Sequence, residues 1–368
     1  MQHVDYSTQI DQKKELLSQA VRGFNSSEIK VFSDKEYGYR NRMDFVFHKG
    51  GLGFRKKGKW YEIVDIKQCV IANEGVNKLL SEVRDFFCGK DSELDYFHVK
   101  KHTGTFRYCV IRCPSGKSSI SFVLNPESSR LADAIEKIKK FAEKSSADNV
   151  VVTYVNPESD TSISEDFFVV KGSEELEEEM MGKRFGYHVQ GFFQNNTKMA
   201  EKMHEYVHSL LQDYEDKEGH LLDLYGGVGT FGILNAGLFK DFKTVEAFEG
   251  CINSARENMK INNISNGKGI VLDAKQLEKL ELKKEGKVYV ITDPPRTGMH
   301  PKAIKAVNRL QPEVIIYVSC NLKQLAKELP RFFGYEVKSA AVFDLFPQTM
   351  HCEGVVELVK KKKEEKEM

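Results

Sequence analysis

The chain has 368 residues, 40% apolar and 30% charged, with 55 Lys and Arg against 54 Asp and Glu. That length exceeds what one hydrophobic core usually fills, so two domains are expected, and near-neutrality gives no global sign of a polyanionic partner. No run reaches the ~20 apolar residues of a membrane span, the opening MQHVDYSTQIDQKK lacks a signal peptide's apolar stretch, and seven cysteines without a CxxC pair read as reduced thiols. The expectation is therefore a cytoplasmic protein with no membrane partner, and nothing demands more than a monomer.

Residues 5–23 read as a helix closed by Gly23, because Ile10, Leu16, Leu17, Ala20 and Val21 fall near one face. Short strands then dominate. The segment from Arg42 to Ile66 alternates polar and apolar residues around Gly50, Gly51 and Gly53, the pattern of an antiparallel hairpin. Charge is concentrated here: residues 1–60 hold 12 Lys and Arg against 7 Asp and Glu. Arg40, Arg42, Lys49, Arg55, Lys56, Lys57 and Lys59 interleave with Tyr37, Tyr39, Phe45, Phe47, Phe54, Trp60 and Tyr61. Cations for phosphates and rings for bases would suit RNA, although a hairpin with rings inward and lysines solvated gives the same pattern. A helix near 74–87, strands near 107–112 and 119–124, a helix near 131–144 and a strand near 149–155 complete an α+β layer. The acidic SEELEEEMMGKRFGY marks a domain boundary or a surface hairpin near 173–186.

After residue 187, helical segments alternate with the strongly apolar strands HLLDLYG, KTVEAFE, KGIVLDA, VYVITDPP and EVIIYVSC. Such strands belong in a parallel sheet covered on both faces, so 187–368 is expected to be a doubly wound α/β domain following a smaller α+β domain over 1–186, whose helix 5–23 is a candidate to pack on the later domain. The final KKKKEEKEM is a charged tail.

In LLDLYGGVGTFGIL, Gly227-x-Gly229-x-x-Gly232 follows a strand and opens a helix, the context in which backbone N–H groups can approach a nucleotide-like ligand. Glu246 lies nineteen residues beyond Gly227, placed to bind ribose hydroxyls. Asp223, Glu246, Asp273 and Asp293 all fall at strand ends, where they would line the ligand edge of the sheet; a helix-capping role is the plain alternative for each. The glycine turn alone does not separate NAD from S-adenosylmethionine. The strand EVIIYVSC brings Cys320 to the same edge, beside a helix N-terminus whose dipole favours a thiolate, while FPQTMHCEGVVELV carries His351 and Glu353 at the start of a last strand. If that strand begins in the cleft, Glu353 meets Cys320 across 33 residues of sequence.

Taken together, QHVDYSTQIDQKK, EYGYRNRMDF, IVDIKQC, GFFQNN, DLYGGVGTFGI, DPPRTG, SCN and FPQTMHCE resemble the RNA (uracil-5-)methyltransferases that make 5-methyluridine in tRNA and 23S rRNA. The resemblance spans almost the whole chain, and SCN with HxE after DPPR is its most specific part. It implies a Rossmann-like class I methyltransferase domain, S-adenosylmethionine as cofactor and an RNA partner. Cys320 takes the nucleophile's place and Glu353 the base's. Gln194, Asp223, Tyr225, Gly227, Gly229, Glu246, Asp273 and Asp293 fall to the cofactor site. Asp293 also faces the target base, and Arg40, Arg42 and Phe192 contact RNA. The chemistry agrees with this, because uracil C5 is too weak a nucleophile to take a methyl group unaided. Thiolate addition at C6 makes C5 enolate-like, and a base must then remove its proton before the cysteine can leave.

Members of the family commonly carry a 4Fe–4S cluster on four cysteines. Only Cys69 matches a ligand here, and the chain begins where the other three should already have passed, so no cluster is expected in this chain. The N-terminal RNA-binding barrel of some members is likewise not expected in this chain, which would shift RNA recognition to the small domain. The HExxH match at His204 and His208 lacks a third ligand and is read as helix packing, so no metal site is expected. An inactive RNA-binding relative and a cytosine-C5 methyltransferase remain the alternative readings.

Overall fold

The computed structural model describes residues 3–24, 28–89, 93–280 and 285–361; the charged tail beyond 361 falls outside them. The chain divides into two compact units. Unit 1 comprises Met1–Glu36, Met180–Gly186 and Lys198–Met368, and unit 2 comprises Tyr37–Glu179 and Tyr187–Thr197. The expected boundary at 186/187 is thus one of several points where the chain passes between units, and residues 1–36 group with the C-terminal half.

In chain order, α1 (Tyr6–Ala20) and β1 (Lys30–Phe32) come first. Unit 2 then contributes β2 (Arg42–His48), β3 (Gly51–Lys56), β4 (Lys59–Asp65), α2 (Glu74–Phe87), β5 (Phe106–Arg112), β6 (Ser119–Leu124), α3 (Leu131–Lys144), β7 (Asn149–Tyr154) and β8 (Phe167–Lys171). A hairpin of β9 (Glu175–Met180) and β10 (Lys183–His188) follows, and then α4 (Thr197–Gln212), β11 (Asp216–Leu224), α5 (Thr230–Leu234), β12 (Phe239–Glu246), α6 (Glu249–Ile261) and β13 (Gly267–Val271). The last elements are β14 (Val288–Thr292), α7 (Pro301–Leu310), β15 (Val314–Ser319), α8 (Leu322–Glu328), β16 (Tyr335–Phe343) and β17 (Glu353–Lys360).

Unit 2 is a seven-stranded sheet in the order β4-β3-β2-β5-β6-β7-β8. Its pairs are antiparallel except β6 with β7, which α3 connects as a crossover. The period-2 pattern of β2 sorts its residues: Met43, Phe45 and Phe47 are buried, while Arg42, Asp44, Val46 and His48 alternate onto the opposite face. The buried set joins Val76, Leu80, Val83 and Phe87 of α2 and Ile138 and Phe141 of α3 in one core. The interleaved aromatics of the basic stretch are therefore divided. Phe45 and Phe47 are core residues, whereas Trp60 and Tyr61, on the edge strand β4, are 54% and 46% exposed.

The acidic segment forms the hairpin β9–β10. Its outward glutamates are solvated, but Glu178 is buried and accepts hydrogen bonds from Ser115 and Thr197.

Unit 1 is an eight-stranded sheet in the order β1-β16-β17-β15-β14-β11-β12-β13. All neighbours are parallel except at β17, which runs antiparallel to both β15 and β16. The seven strands from β11 onward thus stand in the order 3-2-1-4-5-7-6, the Rossmann-like arrangement expected of a class I methyltransferase domain. Parallel strands all end on one edge, and the reversal of β17 makes the start of that strand lie on the same edge. Leu222, Leu224, Val290, Ile315, Tyr317, Val356 and Leu358 form its core, closed on one side by Leu17, Ala20 and Val21 of the N-terminal segment.

Helix α1 differs from its predicted pattern. It ends at Ala20, is capped at Asp5, and buries Gln9 and Lys13 along with Leu17 and Ala20. The buried stripe is polar at its N-terminal end because it meets polar partners. Lys13 Nζ pairs with Asp344 at 2.7 Å with both side chains fully buried. Tyr6 donates to the other oxygen of Asp344, and Gln9 exchanges hydrogen bonds with the side chain and backbone N–H of Gln348. Among the described residues, no helix is long and apolar enough to cross a membrane.

Candidate active site

The glycine turn follows β11 as expected. Gly227 and Gly229 have φ of +52° and +85°, in the left-handed region that favours glycine, and nothing lies within 4 Å of where a Cβ on Gly227 would stand. Behind the turn, Asp223 is fully buried. Its Oδ2 accepts from Gly232 N–H and Thr244 Oγ1 at 3.1 Å each, and Oδ1 has no partner among the described residues. Burial pushes its carboxyl up to about 7. Asn258, a buried α6 residue that the sequence did not single out, donates to the Val228 carbonyl and fixes the turn from below.

At neighbouring strand ends, Glu246 Oε1 accepts the N–H groups of Ala247 and Phe248 at 2.7 and 3.1 Å. Asp273 caps the turn after β13 through Lys275 N–H and pairs with the Lys275 ammonium. The capping reading thus holds for Asp273, and Glu246 takes its two amides on a single oxygen. Tyr225, directly after β11, has φ of +58° and packs against the core, and burial raises its hydroxyl to about 12.

Cys320 and Glu353 meet through strand register. The β15–β17 ladder runs antiparallel to the pair Ser319 and Gly354. Cys320 and Glu353 are the next residues beyond that pair, and the Glu353 carboxylate acts directly on the Cys320 thiol. Glu353 is buried, and its Oε2 has no hydrogen-bond partner among the described residues. Burial first, and then the Asp293 carboxylate, push it well above the usual carboxylate range, with Arg296 pulling the other way. The Cys320 thiol is pushed up to about 11 by burial, Glu353 and Asp293 in that order, again opposed by Arg296. The helix terminus at Cys320 is therefore outweighed in the ligand-free chain.

Asp293, directly after β14, is itself raised to about 7 by burial and by Asp223. It interacts electrostatically with Asp223 and in turn acts on Cys320 and Glu353. Its loop is tied down at several points. Asn321 caps α8 and donates to the Arg296 carbonyl at 2.8 Å, which couples SCN to DPPR directly. Arg296 also reaches His351 Nδ1 at 3.3 Å. The fully buried Glu328 accepts from Met299 N–H and Tyr317 Oη, and a Cβ on Gly298 would stand 1.9 Å from Glu328 Oε1, so only glycine fits there. The sequence carries no signal for Glu328, the last residue of the mixed helix LKQLAKE, whereas Arg296 stands in the DPPR motif itself.

Asp223, Tyr225, Gly227, Gly229, Glu246, Asp273, Asp293, Cys320 and Glu353 are thus all carried on one edge of the unit 1 sheet. Arg40, Arg42, Phe192 and Gln194 belong to unit 2. There Arg42 holds Asp44 with two nitrogens, Arg40 donates to the Arg42 carbonyl, and Asn41 ties down the carbonyls of Gln194 and Asn195. Phe192 is 67% exposed, whereas Phe193 is buried and stacked on Tyr187. His204 of the HExxH match packs against Phe231 and is driven down to about 3 by burial; His208 bonds Asn235.

Residues 5–361 match the family model described as tRNA (uracil-5-)-methyltransferase. The chain is 34% identical to an uncharacterized RNA methyltransferase of Caldanaerobacter subterraneus subsp. tengcongensis, over 96% of this chain and 80% of that protein. It is 32% identical to the tRNA (uracil(54)-C(5))-methyltransferase of Pyrococcus horikoshii, over 98% and 82%. The crystal structure of the Pyrococcus abyssi tRNA (uracil-54, C5)-methyltransferase in complex with S-adenosyl-L-homocysteine superposes with a TM-score of 0.80 at 31% identity, covering 97% of this chain and 84% of that one. With the family model spanning both units and two solved or curated relatives of the same activity, the chain belongs to the tRNA (uracil-5-)-methyltransferase family and is an S-adenosylmethionine-dependent RNA (uracil-C5)-methyltransferase.

Proposed function

We propose that the protein methylates C5 of a uridine in tRNA, with Cys320 as nucleophile and Glu353 as base. The observation that supports this reading is the β15–β17 ladder ending at Ser319 and Gly354, next to Cys320 and Glu353, with a Glu353 carboxylate oxygen left without a partner among the described residues. The relatives named as tRNA (uracil-54, C5)-methyltransferases favour tRNA over 23S rRNA, and position 54 as the uridine.

S-adenosylmethionine, when bound, supplies the methyl group. The open space at Gly227, the free Oδ1 of Asp223 and the carboxylate of Glu246 are the features that fit it. Gln194 is assigned to the same site on the family motif. Having released its proton to solvent, Cys320 adds as a thiolate to C6 of the uracil, which pushes the C5–C6 electron pair onto C5 and the neighbouring carbonyl, and Asp293 hydrogen-bonds the polar edge of the ring. Once C5 carries the methyl group, Glu353 takes the C5 proton, and the C6–S bond breaks to restore the ring and the cysteine. A carboxyl held above its usual range suits this task near neutral pH. Arg40, Arg42 and Phe192 are the RNA-facing candidates of unit 2, which serves as the recognition unit.

Incubation with labelled S-adenosylmethionine and an unmodified tRNA transcript, followed by nucleoside analysis, tests the reading. 5-Methyluridine is expected, none with Cys320→Ala, and with Glu353→Gln a methylated protein–RNA adduct that persists on a denaturing gel. Appearance of 5-methylcytidine, or full activity without the thiol, overturns it.

A further inference from the structure

Unit 2 contains a cleft of about 310 Å³ on its sheet, between β2–β4 and the segment 96–100. That volume is at the lower end of the roughly 300–1,000 Å³ typical of small-ligand sites. Its lining includes Lys49, Arg55, Lys100 and Arg107 with Tyr61 and Phe97, and no Asp or Glu. The cations are of two kinds. Arg107 is bound to the carbonyls of Val155, Asn156 and Ser159 and lies 4.3 Å over the Phe97 ring, making a fixed floor. Arg55 is held by Asp160 and Tyr108. Lys49 and Lys100 are exposed, and neither has an ion pair among the described residues. The Lys100 ammonium rests 3.8 Å over the ring of the exposed Tyr61.

We propose that this cleft binds one nucleotide of the substrate RNA other than the target uridine. Its base stacks on Tyr61 in exchange for Lys100, and Lys100 and Lys49 take the flanking phosphates. The inference rests on the RNA reading above and specifies where unit 2 carries it. A cleft with uncompensated cations and no carboxylate is complementary to a polyanion, and the exposed ring adds a platform that an isolated phosphate would not use.

The test uses the full chain and a fluorescently labelled, unmodified tRNA transcript. Binding is followed by anisotropy from 50 to 200 mM salt for wild type, K49E/K100E, Tyr61→Ala and Tyr61→Phe, with melting curves to exclude folding defects. For the charge-reversed protein we expect affinity to drop at least about tenfold and the slope of log affinity against log salt to flatten by about two. Tyr61→Ala should lose about tenfold, and Tyr61→Phe should retain most of the wild-type affinity. In methylation assays KM for tRNA should rise while kcat and KM for S-adenosylmethionine stay put. Wild-type affinity, salt slope and KM in both K49E/K100E and Tyr61→Ala would overturn the cleft alone. Charge-sensitive binding by a wild-type protein that forms no 5-methyluridine would instead overturn the uracil reading and leave the cleft standing. A wild-type chain that binds no RNA overturns both.

Discussion

At Cys320, burial and two carboxyl groups push the thiol up to about 11 against the pull of Arg296, so the sulfur is protonated at neutral pH. Reactivity must then depend on what happens to those neighbours when substrate arrives. Removing the glutamate charge with Glu353→Gln should lower the pH midpoint of iodoacetamide alkylation at Cys320, and Arg296→Met should raise it. Coincident alkylation profiles for the three proteins would show that these groups do not set the thiol. Asp223 presents the same opposition between site and stability. Its folded-state carboxyl is raised to about 7 from an ordinary 3.8, so the native chain keeps a proton that the unfolded chain releases. The stability it supports is complete below about pH 4 and declines as pH rises to about 7. Ligand-free Asp223→Asn should therefore melt a few degrees above wild type at pH 8, with the gap closing toward pH 4, while its binding of S-adenosylmethionine weakens. A gap that does not vary with pH would remove buried ionisation as the cause. Cys320 and Glu353 were legible as residues from SCN and HxE, but their energetics were not. The helix terminus suggested an activated thiolate, and burial with the approach of Glu353 and Asp293, set by the fold, reverses that balance.

Among the elements, the helices and strands with strong periodicity were readable to within a residue or two: α2, β6 and α3 fall where apolar spacing places them. Helix α1 was readable as a helix but not as to which face it buries, because Gln9 and Lys13 gain their partners from residues more than 330 positions away. That polar stripe grips the segment 344–352, which joins β16 to the strand beginning at Glu353. Gln348 there has φ of +65° and is held by both Gln9 and Glu36. The helix thereby fixes the approach of the proposed base. Lys13→Met strands a buried Asp344, which typically costs about 3–5 kcal/mol, whereas Lys13→Met with Asp344→Leu removes both charges and should recover most of that loss. Chemical denaturation of the two variants checks this. Equal stability of single and double variants would mean that Asp344 finds water or another partner. β1 escaped prediction for a related reason: three residues carry no period, and its place is given by pairing with β16.

For the whole molecule, the change of pattern at residue 187 correctly announces a parallel sheet, yet the unit that contains this sheet also claims Met1–Glu36 and Met180–Gly186. Sequence grammar reports local periodicity, and these segments are too short or too polar to declare which core they join. The consequence can be tested by dissection. A fragment of residues 187–368 would leave β16 as an unpaired edge without β1, expose the surface that Leu17, Ala20 and Val21 cover, and bury Asp344 without Lys13. An edge left open, a stripped apolar face and an unpaired charge each oppose folding. By contrast, among the described residues the buried members of the cluster built on α2 and α3 all lie between Met43 and Val152, so residues 37–172 carry that cluster whole. On heating, the 37–172 fragment should unfold in one cooperative transition with dispersed amide resonances, and 187–368 should aggregate or show no cooperative melt. Adding residues 3–36 back on a flexible linker to the 187–368 fragment should restore a cooperative transition; a 187–368 fragment that melts cooperatively by itself would show that the N-terminal segment is dispensable to the sheet that carries Cys320 and Glu353.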